Sequence, residues 1–211
     1  MAEELQGLVD SIVASTAGLP DPETLARWEP ELSGDIDIVI RSDGSWWHGG
    51  SPIAREGLVR LFASLLRREA DDAYYLVTPV EKWRIRVERH ALVAVDCDRT
   101  GHNGDGTWFV LLNTGGRCRI GGRYRLHVQG VENARSASGA DDRALAGGSG
   151  NAATGAGTED TQPWVNLPNG LTAQLTRAAW YRLTEAASIR DGRAFILSAG
   201  ETIDLGSVDA G

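Results

Sequence analysis

Lysine is all but missing from this chain: of 21 basic residues, only Lys82 is a lysine and the rest are arginines. Such a bias follows from the codon usage of a GC-rich genome. Its consequence is physical, because an arginine is planar, permanently charged and bidentate, and suits phosphate or carboxylate binding. Cysteine is scarce too. Cys97 and Cys118 have no CxxC spacing and no histidine pair nearby, which excludes a zinc site of ordinary type. They are expected to be free, partly buried thiols, the alternative being a pair facing each other across adjacent strands. No apolar run reaches the roughly 18 residues of a membrane span. Residues 1–19 begin acidic and lack the basic region of a signal peptide. A soluble, cytoplasmic protein is therefore expected. Positive charge is in deficit, with a net charge of −8 over 211 residues and a pI near 5.0. That excludes a general nucleic-acid coat and a polybasic membrane surface, while leaving room for one anion held by local arginines.

Catalytic signatures are missing as well. His48, His90, His102 and His127 are scattered without HxH or HxxxH spacing, and no GxSxG occurs. Gly49-Gly50-Ser51-Pro52 lacks both phosphate-loop spacings, GxxxxGK[ST] and GxGxxG. No cofactor is expected, and the reading points away from an enzyme. A hydrolase-type activity would need carboxylates such as Asp43 and Glu81 to meet in space.

What is present is a 42% hydrophobic, globular composition with strong local order. Leu5, Leu8, Val9, Ile12 and Val13 have helical spacing, predicting an amphipathic helix over about 3–15. Leu19-Pro20-Asp21-Pro22-Glu23 turns the chain into a short helical piece. Ile36, Ile38 and Ile40 alternate with polar residues as in a half-buried strand. Asp43-Gly44 then predicts a hairpin turn, and Ser45–His48 the return strand. A helix is expected from Pro52 or Ile53 up to Asp71-Asp72, followed by strands at 74–77 and 83–87 about a turn at 78–82. Strands at 92–95, 108–113, 118–120 and 123–129 read as an antiparallel meander. Residues 134–161, rich in Gly, Ala, Ser and Thr, are expected to form a flexible insertion. A strand at 164–167, an Asn169-Gly170 turn, a strand at 171–175, a helix at 177–187 and strands at 193–198 and 202–205 complete the chain.

The two helices align. AREGLVRLF at 54–62 matches TRAAWYRLT at 176–184, placing Arg55 on Arg177 and Arg60 on Arg182. The hairpins that follow align with Thr78 on Ser198 and Glu81 on Glu201. A duplicated strand-strand-helix-strand-strand unit is therefore expected, its two copies packed as halves of one body.

WEP at 28–30, GDIDIVIRSDGSW at 34–46, GGSPIAREGLVRLFASLLRRE at 49–69 and YYLVTPVEKWRIRVE at 74–88 closely resemble the bacterial DUF1285 family. LLNTGG at 111–116 and PWVNLPNGLTAQLTRAAWYRLTEAA at 163–187 resemble it more weakly. The chain departs from the family at Arg89-His90, in its long 134–161 segment and at Thr202-Ile203-Asp204. The resemblance implies an α+β fold of mostly antiparallel sheet with a duplicated core. The halves would be 1–90 and 91–211, the second pleckstrin-homology-like. It further implies a ligand site between the halves, for a nucleotide-type ligand, with a role in signalling.

The candidate binding residues are Trp47, His48, Arg55, Thr78, Glu81, Lys82, Asn113 and Arg177. Arg55 and Arg177 begin helices, where free N–H groups favour anions; pairing with Glu81 or Glu201 is their other reading. Thr78, Glu81 and Lys82 offer a hydroxyl, a carboxylate and an ammonium on one turn, or serve the turn itself. Trp47 beside His48 could stack on a base or cover the sheet. The expected partner is thus a small anionic, nucleotide-like ligand. A protein-interaction adaptor, recognised through an apolar groove or strand edge near the C-terminal helix, is the second reading.

Overall fold

The computed structural model describes residues 19–101, 106–128 and 162–208. The predicted helix at 3–15 and the segment 134–161 lie outside those residues. Helix α1 (Pro22–Ala26) is capped by Asp21, whose Oδ1 accepts from the backbone N–H of Glu23 and Thr24. A first meander follows, β1 (Leu32–Ile40), β2 (Trp46–His48) and β3 (Ser51–Pro52). Helix α2 (Glu56–Ser64) leads to a second meander, β4 (Leu66–Arg68), β5 (Tyr74–Val77) and β6 (Lys82–Val87). Together they make one six-stranded sheet ordered β3-β2-β1-β6-β5-β4, in which β1 and β6 run parallel.

The second sheet has the same plan. It contains β7 (Leu92–Thr100), β8 (Thr107–Leu112), β9 (Arg117–Arg119), β10 (Leu126–His127), β11 (Trp164–Asn166) and β12 (Thr172–Leu175). Its order is β9-β8-β7-β12-β11-β10, and the first and last strands, β7 and β12, again pair in parallel at the centre. Helix α3 (Arg177–Glu185) then leads into a separate antiparallel sheet of β13 (Ser188–Arg190), β14 (Arg193–Ser198) and β15 (Glu201–Ser207). The protein is thus a sheet-dominated α+β fold with two six-stranded sheets in two halves.

Apolar side chains from both halves form one continuous core. Ile38, Ile40, Phe62 and Leu76 come from the first, and Ala94, Val110, Leu175 and Leu183 from the second. The alternation read in β1 holds, with Ile38 and Ile40 fully buried. A second, smaller cluster of Leu25, Tyr75 and Val77 joins α1 to β5.

Three expectations change. The helix predicted from 52 or 53 to about 70 is only nine residues long. Leu66–Arg68 leaves it to pair with Tyr74–Leu76, and both Leu65 and Leu66 are fully buried at that switch. Spacing alone cannot separate a buried helical turn from a short buried strand. Strand β13, all exposed, carries no apolar alternation and was not anticipated. The predicted repeat also breaks: α2 joins two meanders of a single sheet, whereas α3 leaves the second sheet for a third. Arg55 is the N-cap of α2, while Arg177 is the first helical residue after the Thr176 cap, so the two arginines are not equivalent. The hairpin part of the alignment agrees with the geometry. Thr78 and Glu81 flank a two-residue turn, as do Ser198 and Glu201.

The Thr176 cap is a tie as well as a helix start. Its Oγ1 accepts from Ala179 N–H at 3.2 Å and donates to Val95 O at 3.2 Å. Thr176→Ala is expected to lower stability by about 1 kcal/mol. In a thermal melt this is a drop of roughly 2–4 °C for a chain of this length.

Candidate functional site

Two turns lock the sheets together. The first is the turn between β1 and β2, shaped by Asp43 Oδ1 accepting from the Ser45 N–H and hydroxyl. Its Gly44, at φ +81°, lies so close to the second sheet that a Cβ there would sit 2.5 Å from Val93 Cγ2. Asn113 closes the joint: Nδ2 donates to Gly44 O at 3.2 Å, and Oδ1 accepts from Val93 N–H at 3.1 Å. The second is the Pro168–Gly170 turn before β12. A Cβ on its Gly170 would lie 2.9 Å from Arg68 O of the first sheet. Beside it, the Thr172 hydroxyl lies 2.9 Å from His90 Nδ1 and also bonds the Tyr74 hydroxyl, whose pKa burial raises.

The eight sequence-predicted residues are dispersed over this frame. Trp47 donates Nε1–H to Ser45 Oγ, and the Arg41 guanidinium stacks 3.5 Å over its ring. His48 Nδ1 lies 3.0 Å from Asp37 O, while its buried Nε2 has no hydrogen-bond partner. Arg55 and Arg177 are both exposed. Thr78 is fully buried, and its hydroxyl accepts from the N–H of Val80 and Glu81, fixing the turn. Glu81 is half-buried in the same turn. Lys82, the only lysine, pairs with Glu69 at 3.1 Å. The register Leu32↔Lys82 and Ile40↔Val87 sets the 78–81 turn at the opposite end of the sheet from the Gly44 joint. At about 3.3 Å per residue, the length of β1 holds Thr78, Glu81 and Lys82 roughly 25 Å from Asn113. Only Asn113 is at a joint between the halves.

What does lie between the halves is a cavity of about 420 Å³, and none of the eight lines it. Leu25, Ala63, Ser64 and Leu66 form its wall on one side, Leu92, Leu112 and Cys118 on the other. Leu167, Pro168, Asn169 and Leu171 also line it, and Pro20 and Pro22 contribute as the chain enters α1. Tyr124, Phe109, Arg117 and Arg119 complete it, the two arginines being its only charged residues among the described ones. Arg117 pairs with Asp98 at 2.7 Å and stacks 3.8 Å over Phe109. Arg119 Cζ lies 5.9 Å from the Tyr124 ring centre. Sequence reasoning missed these residues because they come from short segments far apart in the chain, each read locally as a turn, a helix or a strand. The Arg-Cys-Arg alternation of β9 was the one pointer, setting a buried thiol between two exposed cations.

The cysteines do not pair. Cys97 and Cys118 both register against Val110, so a whole strand lies between them. Two strand spacings are about 10 Å, beyond the roughly 7 Å limit for a disulfide. Burial pushes the Cys97 thiol up to about 12 and the Cys118 thiol up to about 11, so both are protonated at neutral pH. Among the described residues, no three His, Cys, Asp or Glu side chains gather to hold a metal. None of the described helices is long and apolar enough to cross a membrane.

Two sheets of one strand order, joined by two glycine turns around a largely apolar cavity, define an α+β protein of paired-sheet type. The chain belongs to the DUF1285 family. Residues 23–90 match the model of that family's N-terminal domain, a domain of unknown function. A crystal structure of a DUF1285 family protein from Silicibacter pomeroyi DSS-3 is 32% identical over 96% of both chains, with a TM-score of 0.71. A second DUF1285 structure, from Shewanella baltica OS155, is 24% identical over 70% of this chain and 90% of that one, with a TM-score of 0.47. No curated protein matches the chain.

Proposed function

We propose that this protein is a small-ligand-binding module of signalling type, acting in the cytoplasm, and that its site is the cavity between the two sheets. The cavity itself carries the reading. Its volume of about 420 Å³ falls within the usual range of roughly 300–1,000 Å³ for small-molecule sites, which are mostly apolar with a few polar groups. The wall favours a ligand with a flat or aliphatic body and an acidic group. Tyr124 and the leucines would take the body; among the described residues, Arg117 and Arg119 supply the positive charge. The anionic ligand expected from the sequence is kept, but on a different residue set. The shared strand order of the two sheets supports a duplicated origin. In the same proposal the second sheet, followed by α3, is the pleckstrin-homology-like half.

The test is a thermal-shift screen of the wild type and Ala63→Phe against nucleotides, phosphorylated metabolites and aromatic and aliphatic acids. At 100 times its Kd, a ligand adds about 2.7 kcal/mol, or roughly 5–10 °C for this length. The expected result is a shift that Ala63→Phe abolishes by filling the cavity. A panel without any shift, or a shift that Ala63→Phe leaves intact, removes the proposal.

One observation favours the adaptor reading. Tyr181 on α3 and Ile189 on β13 are 58% and 65% exposed, and β13 is an open sheet edge. A partner peptide would add a strand there through backbone hydrogen bonds. Ile189→Lys would then abolish capture of that partner without changing the melting temperature.

A further inference from the structure

We infer that the site between the sheets takes an extended acidic peptide, which adds as a strand to the free edge of β9 and sends one apolar side chain into the cavity. The inference rests on the proposed site and names the class of its ligand. β9 is an outer strand of the second sheet, and among the described residues β8 is its one strand neighbour. Gly116, Arg117, Cys118 and Arg119 line the cavity in unbroken succession. Successive strand residues point to opposite faces, so a wall made of four in a row runs along the edge of the strand. The backbone agrees. Gly116 O accepts from Leu112 N–H at 2.8 Å, and Ile120 N–H donates to Trp108 O at 2.7 Å. Antiparallel pairing alternates, so Cys118 also bonds toward β8, while the N–H and C=O of Arg117 and Arg119 face away from it. The Cys118 thiol reaches Arg119 O at a long 3.6 Å. An outward row of backbone donors and acceptors is what an added peptide strand pairs with.

The side chains of β9 set the pattern of that peptide. Arg117 and Arg119 are exposed on one face of the strand, and Cys118 is buried on the other. Peptide residues opposite the two arginines share their face and are acidic. The residue between them points inward with Cys118, beside Leu66, Leu92 and Leu112, and is apolar. Charge selects this occupant. The chain as a whole carries −8, yet Arg119 and Arg123 converge on Tyr124, with Cζ 5.9 Å and 5.8 Å from its ring centre. Neither forms an ion pair among the described residues. Arg117 holds Asp98 at 2.7 Å in a half-exposed pair that a second carboxylate can join. A second copy of this chain fits worse, because two β9 strands centred on Cys118 would set Arg117 opposite Arg119, like charge against like.

The test begins with a library of random heptapeptides displayed on phage and selected on the full-length chain. The expected result is enrichment of an acidic–apolar–acidic alternation. The strongest peptide, synthesised with a fluorescent label, is expected to bind Arg119→Glu and Ala63→Phe at least tenfold more weakly than wild type. Arg119 is exposed, so Arg119→Glu should keep the wild-type melting temperature and read binding alone. Strand addition is read with two methylated peptides. A methyl on the backbone nitrogen of the acidic residue opposite Arg119 removes a ladder bond and should weaken binding at least tenfold. A methyl on the apolar residue's nitrogen, which faces away from β9, should weaken it less than threefold. No enriched alternation, equal binding to Arg119→Glu, or equal effects of the two methyl groups overturns the inference. Each of these leaves the cavity to the screen of small acids, where a shift abolished by Ala63→Phe keeps the site. Peptide binding that Ala63→Phe leaves intact also overturns the inference, because no side chain then enters the cavity.

Discussion

Glu69→Gln is expected to destabilise the protein by about 3 kcal/mol, because it strands a buried charge. Arg67, on β4, is only 7% exposed. Its guanidinium donates to Trp28 O at 2.7 Å and to Glu69 Oε1 at 2.5 Å, tying the chain after α1 to the first sheet. The other carboxylate near it, Glu29, is 3.7 Å away and mostly exposed, so water screens it. Glu69 also receives Lys82, whose ammonium rests 5.1 Å from the Tyr75 ring centre. Glutamine keeps the shape and loses the charge, leaving two cations without their shared anion. For this chain length the loss is roughly 6–12 °C in melting temperature. The sign with pH follows. Burial alone would raise the Glu69 pKa, but hydrogen bonds from Arg67 and Lys82 hold it below its ordinary 4.5. A lowered pKa gives stability that is complete above the unfolded value and is lost as pH falls through the folded one. Wild type and Glu69→Gln should therefore differ fully at pH 7 and converge as pH falls below about 4.5. A difference under 1 °C at pH 7, or one that persists unchanged at pH 3, would sink this account.

Gly44→Ala is expected to cost about 2–5 kcal/mol, and to act at the joint between the sheets. Two effects add. At φ +81° an L-residue carries a steric penalty of about 1–2 kcal/mol. The added Cβ would also meet Val93 Cγ2 at 2.5 Å and Asn113 Nδ2 at 2.9 Å. Either side chain must move, and overpacking of this kind costs about 1–3 kcal/mol. Moving Asn113 breaks its bonds to Gly44 O and Val93 N–H. Denaturant melts should show a lower midpoint. Hydrogen exchange should rise at Val93 and Asn113 before it rises at the β5–β6 hairpin, some 25 Å away along β1. A Gly44→Ala protein as stable as the wild type would mean that the turn is not held against the second sheet.

Both predictions concern residues whose importance was only partly legible. Asp43-Gly44 was readable as a turn because aspartate accepts locally and glycine tolerates positive φ. That the turn docks on Val93 and Asn113 was not readable, since those residues are 49 and 69 positions away. Lys82 stood out in the sequence as the one lysine and suggested a ligand contact. The fold instead brings Glu69 and the Tyr75 ring against it. Thr78 was read with two roles open, and in the fold its buried hydroxyl accepts from the turn's own Val80 and Glu81 N–H. Arg67 falls inside the helix predicted up to Asp71-Asp72, but β4 instead brings it against the backbone carbonyls of Leu25 and Trp28.

The sequence by itself determined the elements whose signals are local. These include the alternation of β1, the Asp43-Gly44 and Asn169-Gly170 turns, the core of α2, the body of the helix read at 177–187, and the paired hairpins flanked by Thr78/Glu81 and Ser198/Glu201. It also carried the family, through near-continuous motifs from Trp28 to Glu88. Tertiary structure alone decided the parallel pairings of β1 with β6 and β7 with β12, the common strand order of the two sheets, the separation of Cys97 from Cys118 by Val110, and the cavity. The physical reason is range. Helix spacing, strand alternation and turn chemistry act over two to eight residues and leave their mark in the order of amino acids. A cavity wall or a parallel pair joins residues some 50 to 150 positions apart, and its geometry exists only once the chain has packed.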